Sequence, residues 1–79
     1  MKKVAIYTTS VCTYCRMAKD FFTKHNIPYE EYNVITDIKR RDEMIQRSGQ
    51  MGVPVIDIEG QIVVGFNERK MRELLEIKD

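Results

Sequence analysis

Lys3-Val4-Ala5-Ile6-Tyr7-Thr8-Thr9-Ser10-Val11-Cys12-Thr13-Tyr14-Cys15 changes character in its middle. Up to Thr8 it reads as a strand, with Val4 and Ile6 apolar and Tyr7 and Thr8 suited to a pleated surface. Thr9-Ser10-Val11 is a loop. From Cys12 to His25 the period becomes helical. Cys15, Ala18, Phe21, Phe22 and His25 form one stripe, and Arg16, Lys19, Asp20 and Lys24 lie opposite. A Cys-x-x-Cys pair therefore opens a helix directly after a strand.

Further along, Asn26 and Pro28 stop that helix. Pro28 to Val34 holds bulky β-formers and reads as a second strand. Thr36-Asp37 offers an N-cap for a second helix, with Ile38, Arg41, Met44 and Ile45 at inward spacing and Gly49 where a terminating glycine belongs. Val53 to Ile58 is a third strand and Gln61 to Val64 a fourth. Glu59-Gly60 is their two-residue hairpin turn, with the glycine accepting positive φ. Asn67 caps a last helix running to about Ile77. Phe66 before the cap and Met71 within the helix have the spacing of a hydrophobic staple, and Met71, Leu74 and Leu75 face inward. The order is βαβαββα. Its first βαβ unit implies two parallel strands with a right-handed crossover, and the hairpin adds two antiparallel ones. The fold class is α/β, a four-stranded mixed sheet flanked by three helices.

The chain has 79 residues, 43% hydrophobic and 32% charged. That is the composition and size of a single globular domain, residues 1–79. No apolar run approaches the ~20 residues of a membrane span. Met1-Lys2-Lys3 lacks the apolar stretch and cleavage site of a signal peptide, so a cytoplasmic monomer is expected. A net charge of +1, from 13 basic and 12 acidic residues, argues against a nucleic-acid partner. The only two cysteines are Cys12 and Cys15. A disulfide closing so short a loop is a poor staple, so the pair is read as chemical rather than structural.

A free thiol is only about 3% ionised at neutral pH, and the thiolate is the nucleophile. A helix start favours the anion through its unpaired N–H groups and dipole. Cys12 stands at that start, where its sulfur can accept from the first turn. Cys15 lies one turn deeper. Cys12 is thus the attacking thiol of a disulfide exchange and Cys15 the resolving one. A zinc site would need four ligands, and His25, the only histidine, is three turns away. A copper chaperone is the sharper rival, with a similar length and a CxxC after the first strand. Such proteins carry methionine two residues before the first cysteine, where this chain has Ser10, and their order is βαββαβ.

Ile6-Tyr7-Thr8 before Cys12-Thr13-Tyr14-Cys15, then Arg41 to Gly49, Gly52-Val53-Pro54 and Gly65-Phe66-Asn67 together resemble the glutaredoxin family of the thioredoxin-fold superfamily. The resemblance covers nearly the whole chain. It implies a thioredoxin-like fold, a cis Val53–Pro54 bond beside the nucleophile, and a Val53 backbone free to pair with substrate. It further implies substrate-binding roles for Thr9, Thr13, Tyr14, Val53, Pro54, Gly65, Phe66, Asn67 and Glu68. The implied partners are disulfide-containing proteins, ribonucleotide reductase among them. No bound cofactor is implied. The resemblance further implies glutathione as a co-substrate, and glutathione or a thioredoxin reductase as the electron source. Some members hold an iron–sulfur cluster between two chains, the metal-binding alternative. Three positions depart from the family: Thr13 where proline is common, Thr9 where lysine is common, and Gly65-Phe66-Asn67 where Gly-Gly-Asp is usual. Gly-Phe is similar to the redoxins that feed ribonucleotide reductase, whereas Tyr14 is the glutaredoxin choice. Other residues read more plainly. His25 is a helix-end cation, Tyr7 core or site floor, and Tyr14 on the site's rim. Met44, Met51 and Met71 are core filler, and Asp20 lies on the charged face.

Overall fold

A computed structural model describes residues 3–77. Seven elements follow in the expected order: β1 Val4–Thr8, α1 Thr13–Lys24, β2 Glu30–Asn33, α2 Ile38–Ser48, β3 Val55–Ile58, β4 Gln61–Val64 and α3 Glu68–Leu75. The sheet runs β2-β1-β3-β4. β1 pairs parallel with β2, Ile6 opposite Glu31, and antiparallel with β3, Ile6 opposite Ile56. β3 and β4 form the hairpin. The fold is thus the expected four-stranded mixed sheet with three helices.

All five residues of β1 are buried, because the strand is central and helices cover both its faces. Strand alternation divides them. Val4 and Ile6 join Ile56, Ile58 and Val63 against Ala18, Phe21 and Phe22 of α1 and Met71 of α3. Tyr7 joins Val55 and Val34 against Met44 of α2 on the other face. On that face the Tyr7 hydroxyl donates to Glu43 Oε1 at 2.9 Å. Arg40 pairs with Glu43 and lies 3.9 Å from the centre of the Tyr32 ring, and Arg47 pairs with Asp57 of β3. Tyr7 is thus core on the α2 side, and its polar end ties that helix down.

The expected caps are present. Asp37 accepts from the Arg40 N–H and Asn67 from the Lys70 N–H, both at 3.1 Å. Gly49 ends α2 at φ 77°. Phe66 and Met71 meet in the same core cluster, as the staple spacing requires. Several expectations need correction. Glu59 as well as Gly60 has positive φ, 51° and 87°, because this type of turn demands it at both positions. α3 stops at Leu75, with Glu76 left-handed and the Ile77 N–H returning to Arg72 O. β3 begins at Val55, after Val53 and Pro54. Met51 is 65% exposed, in the loop before Val53, and Ile38 is 60% exposed at the solvent side of the first turn of α2. Neither is core. Among the described residues no helix is long and apolar enough to cross a membrane.

Candidate active site

β1 ends at Thr8, and the chain turns through Thr9, Ser10 and Val11 to Cys12, which is extended at φ −108°, ψ 113° and caps α1. Most N-caps present oxygen; here the acceptor is sulfur. The Cys15 N–H donates to Cys12 Sγ at 3.1 Å, one of the orphan donors of a helix start. Cys12 is half-buried, and Cys15 behind it is fully buried. Burial, followed by the hydrogen bond and charge of Cys12, pushes the Cys15 thiol from near 9.0 up to about 12, against the Thr9 N–H and the Lys19 ammonium. The two thiols are therefore unequal: one reachable and held against helix donors, the other enclosed and protonated at neutral pH.

The second wall comes from the far end of the chain. The Cys12 thiol donates to Val53 O at 3.8 Å. The Val53–Pro54 bond is cis, as the resemblance implied. Pro54 is buried, and its carbonyl accepts from the Gly65 N–H at 2.8 Å, which brings the segment 65–67 alongside. Tyr14 is 62% exposed and Val11 87% exposed at the mouth. Thr13 is the exposed first residue of α1, and Thr9 is half-buried beside Cys12. Thr9, Thr13, Tyr14, Val53 and Pro54 thus lie in or next to the segments that carry the thiols and meet them, with Gly65 hydrogen-bonded to Pro54. Phe66 is turned differently: its ring packs into the core, 6.2 Å from Phe21. Asn67 has its side-chain oxygen engaged in capping, and Glu68 pairs with Arg72 at 2.9 Å. His25 caps the far end of α1 with its ring 4.6 Å from Phe21, away from the thiols.

Sequence reasoning missed one cluster. Lys19 Nζ lies 2.9 Å from Glu31 Oε2, and the Thr8 hydroxyl donates to the same oxygen at 2.8 Å. Lys19 holds the Glu31 carboxyl below its usual range, and Glu31 raises the Lys19 ammonium, so both are ionised at neutral pH. Lys19 and Glu31 line a groove of about 510 Å³ together with Cys12, Thr9, Arg16 and Asn33. Nothing in the local sequence shows this, because the pairing depends on the β1–β2 register. Among the described residues no group of three or more His, Cys, Asp or Glu is placed to hold a metal ion, and the βαβαββα order differs from that of the copper chaperones.

Comparison with known proteins agrees with this geometry. The family model for glutaredoxin matches residues 4–63. A glutaredoxin-like 8.6 kDa protein in the rubredoxin operon of Clostridium pasteurianum is 42% identical over 73 residues, 92% of this chain and 97% of that one. Glutaredoxin 3 of Escherichia coli K12 is 35% identical over 68 residues, covering 86% and 82% of the two chains. A crystal structure of a mutant thioredoxin-like protein superposes with TM-score 0.91 at 32% identity, covering 99% of this chain and all of that one.

Proposed function

The chain belongs to the glutaredoxin family of thiol redox proteins, and on that premise we propose that it is a dithiol–disulfide oxidoreductase acting through Cys12 and Cys15. The observation that carries this reading is the asymmetry of the pair. Cys12 is accessible, and its sulfur accepts from the first turn of α1, while Cys15 is sealed beneath it. In the forward reaction the Cys12 thiolate attacks one sulfur of a substrate disulfide. A mixed disulfide forms, and the other substrate sulfur leaves as a thiolate that takes a proton from solvent. Cys15 then loses its proton and attacks Cys12 Sγ. The Cys12–Cys15 bond forms, and the second substrate thiol is released. Two electrons and two protons pass from the pair to the substrate, and the thiol steps need no bound cofactor.

The same wall orients the substrate. The Val53 carbonyl faces Cys12, and a substrate backbone lying along Val53 brings its own cysteine sulfur over Cys12. Protein disulfides, with ribonucleotide reductase as one candidate, and glutathione mixed disulfides are the substrate classes proposed. Recharging falls to glutathione or to a thioredoxin-reductase-type flavoenzyme. Thr9 offers no cation to a glutathione carboxylate, and the Asn67 side chain is neutral and already engaged. Glutathione then has the N–H groups at the start of α3 and the Val53 backbone, and binds weakly. The deciding experiment is NADPH oxidation coupled to disulfide reduction, regenerated either by glutathione with its reductase or by thioredoxin reductase. The flavoenzyme is expected to drive turnover at least as fast as glutathione. Absence of turnover with both, or turnover that survives Cys12→Ser, sinks the reading.

A further inference from the structure

The resolving step calls for an anion at an unfavourable place. Cys15 is fully enclosed, and burial is the main force holding its proton, with Cys12 second. Once Cys12 is bound in a mixed disulfide it carries no charge, and burial is left as the main opposition. Two groups work the other way: the Thr9 backbone N–H and the Lys19 ammonium. The N–H is present for any residue but proline at position 9. Lys19 is a side chain that the sequence can vary.

Its placement is well defined. Lys19 is four residues past Cys15 on α1, so the two lie on one side of the helix. Glu31 Oε2 holds the ammonium at 2.9 Å, and Thr8, 1% exposed, donates to that oxygen at 2.8 Å. The ammonium is thereby fastened to β1 through a buried hydroxyl, one residue before the backbone N–H that meets the Cys15 sulfur. Cys12, Arg16 and Lys19 face this corner from α1, with Glu31 from β2 and Tyr29 from the segment before it. Cys12, Lys19 and Glu31 line one groove, and the enclosed Cys15 lies behind its Cys12 wall.

We infer that Lys19, fixed by Glu31 and Thr8, is a positioning residue for the second half of the exchange, its ammonium favouring the Cys15 thiolate that breaks the mixed disulfide. The inference rests on the assignment of Cys12 as attacking thiol and Cys15 as resolving thiol. In the step, the Cys15 proton is lost to solvent as its sulfur forms the bond to Cys12. The bond between Cys12 and the substrate sulfur breaks, and that sulfur leaves as a thiolate protonated by solvent. Cys12 and Cys15 are oxidised by two electrons in all, and the substrate disulfide is reduced by two.

Single-turnover kinetics with a peptide disulfide carrying a fluorophore on each half separate capture by Cys12 from release of the captured half. In Lys19→Met, capture stays within about twofold of the parent while release slows by roughly three- to tenfold, since a less ionised thiol is partly offset by greater nucleophilicity. The release rate also reaches its parent value only at higher pH. Lys19→Arg restores most of the release rate, and Lys24→Met, an exposed lysine on the same helix, matches the parent in both steps. Equal release rates and superimposable pH profiles in the parent and Lys19→Met overturn the inference and leave the thiol assignment intact. So does a Lys19→Arg variant as slow as Lys19→Met, because packing of the stem rather than charge would then be responsible. Should Lys19→Met lose capture through misfolding, Lys19→Gln carries the same measurement. A parent protein whose Cys12 captures nothing overturns the underlying assignment instead.

Discussion

At the scale of single residues, the two sulfurs differ through their surroundings alone, and the difference is measurable. Iodoacetamide at neutral pH should label Cys12 and spare Cys15. Cys15→Ser should accumulate mixed disulfides with substrate, and Cys12→Ser should form none; equal trapping by the two would reverse the roles. Burying Cys15 as a thiol also makes stability depend on pH. Its proton is held more tightly in the folded chain, so this contribution is complete below about pH 9.0 and is lost as pH rises toward 12. The urea midpoint of the reduced protein should therefore fall between pH 8 and 10 more steeply than that of Cys15→Ala. Parallel slopes would contradict the burial argument. At the rim, Thr9→Lys with Asn67→Asp should raise glutathione-dependent turnover roughly tenfold, each contact supplying on the order of 1 kcal/mol. An unchanged rate in the double variant would show that charge does not limit glutathione use. Cys12 as the start of the helix was legible because strand and helix periods meet there. The Thr8–Glu31–Lys19 contact was not, since it needs Ile6 set opposite Glu31 across two strands.

At the scale of elements, local signals named the strands and caps and misjudged where some ended. Capping is chemistry within four residues, so Asp37, Gly49 and Asn67 were readable directly. Exposure is a tertiary property, and Met51 and Ile38 were misread because apolar character does not say which way a loop or a first turn points. α2 leans on its ends: Met44 is its only fully buried residue. Asp37→Ala should lower stability by about 1 kcal/mol, seen as a shifted urea midpoint. Gly49→Ala, forced to keep φ near 77°, should cost about the same. The hairpin offers the opposite sign. Glu59 pays for a left-handed conformation that asparagine adopts readily, so Glu59→Asn should raise stability by about 0.5 kcal/mol, read as a higher urea midpoint. A destabilised Glu59→Asn would mean that the glutamate stem packs more usefully than its backbone suggests.

Across the whole molecule, one sheet carries two separate cores, and a chain of this size has little stability to spare. Phe22 is completely enclosed in the cluster joining α1 to the sheet. Phe22→Ala should remove about 3–5 kcal/mol, most of what a small domain possesses, and leave no cooperative urea transition. A sharp transition with a modestly shifted midpoint would show that the α2 side holds the fold without it. The overall architecture was legible from element order, because a crossover and a hairpin leave few ways to build one sheet. The loop at 65–67 was harder to place, since the Gly65 N–H to Pro54 O bond that draws it toward the thiol end is a tertiary contact. The sheet also has a front and a back. Cys12 follows the last residue of β1, while the Glu59-Gly60 turn stands level with Val4, the first, through the pairing of Val4 with Ile58. Those ends are about 13 Å apart along the strand. A dye, bead or electrode tether attached through the side chain at position 59 would accordingly leave the thiol end facing outward, and the protein could be immobilised as a sensing layer without covering the sulfur it reads with.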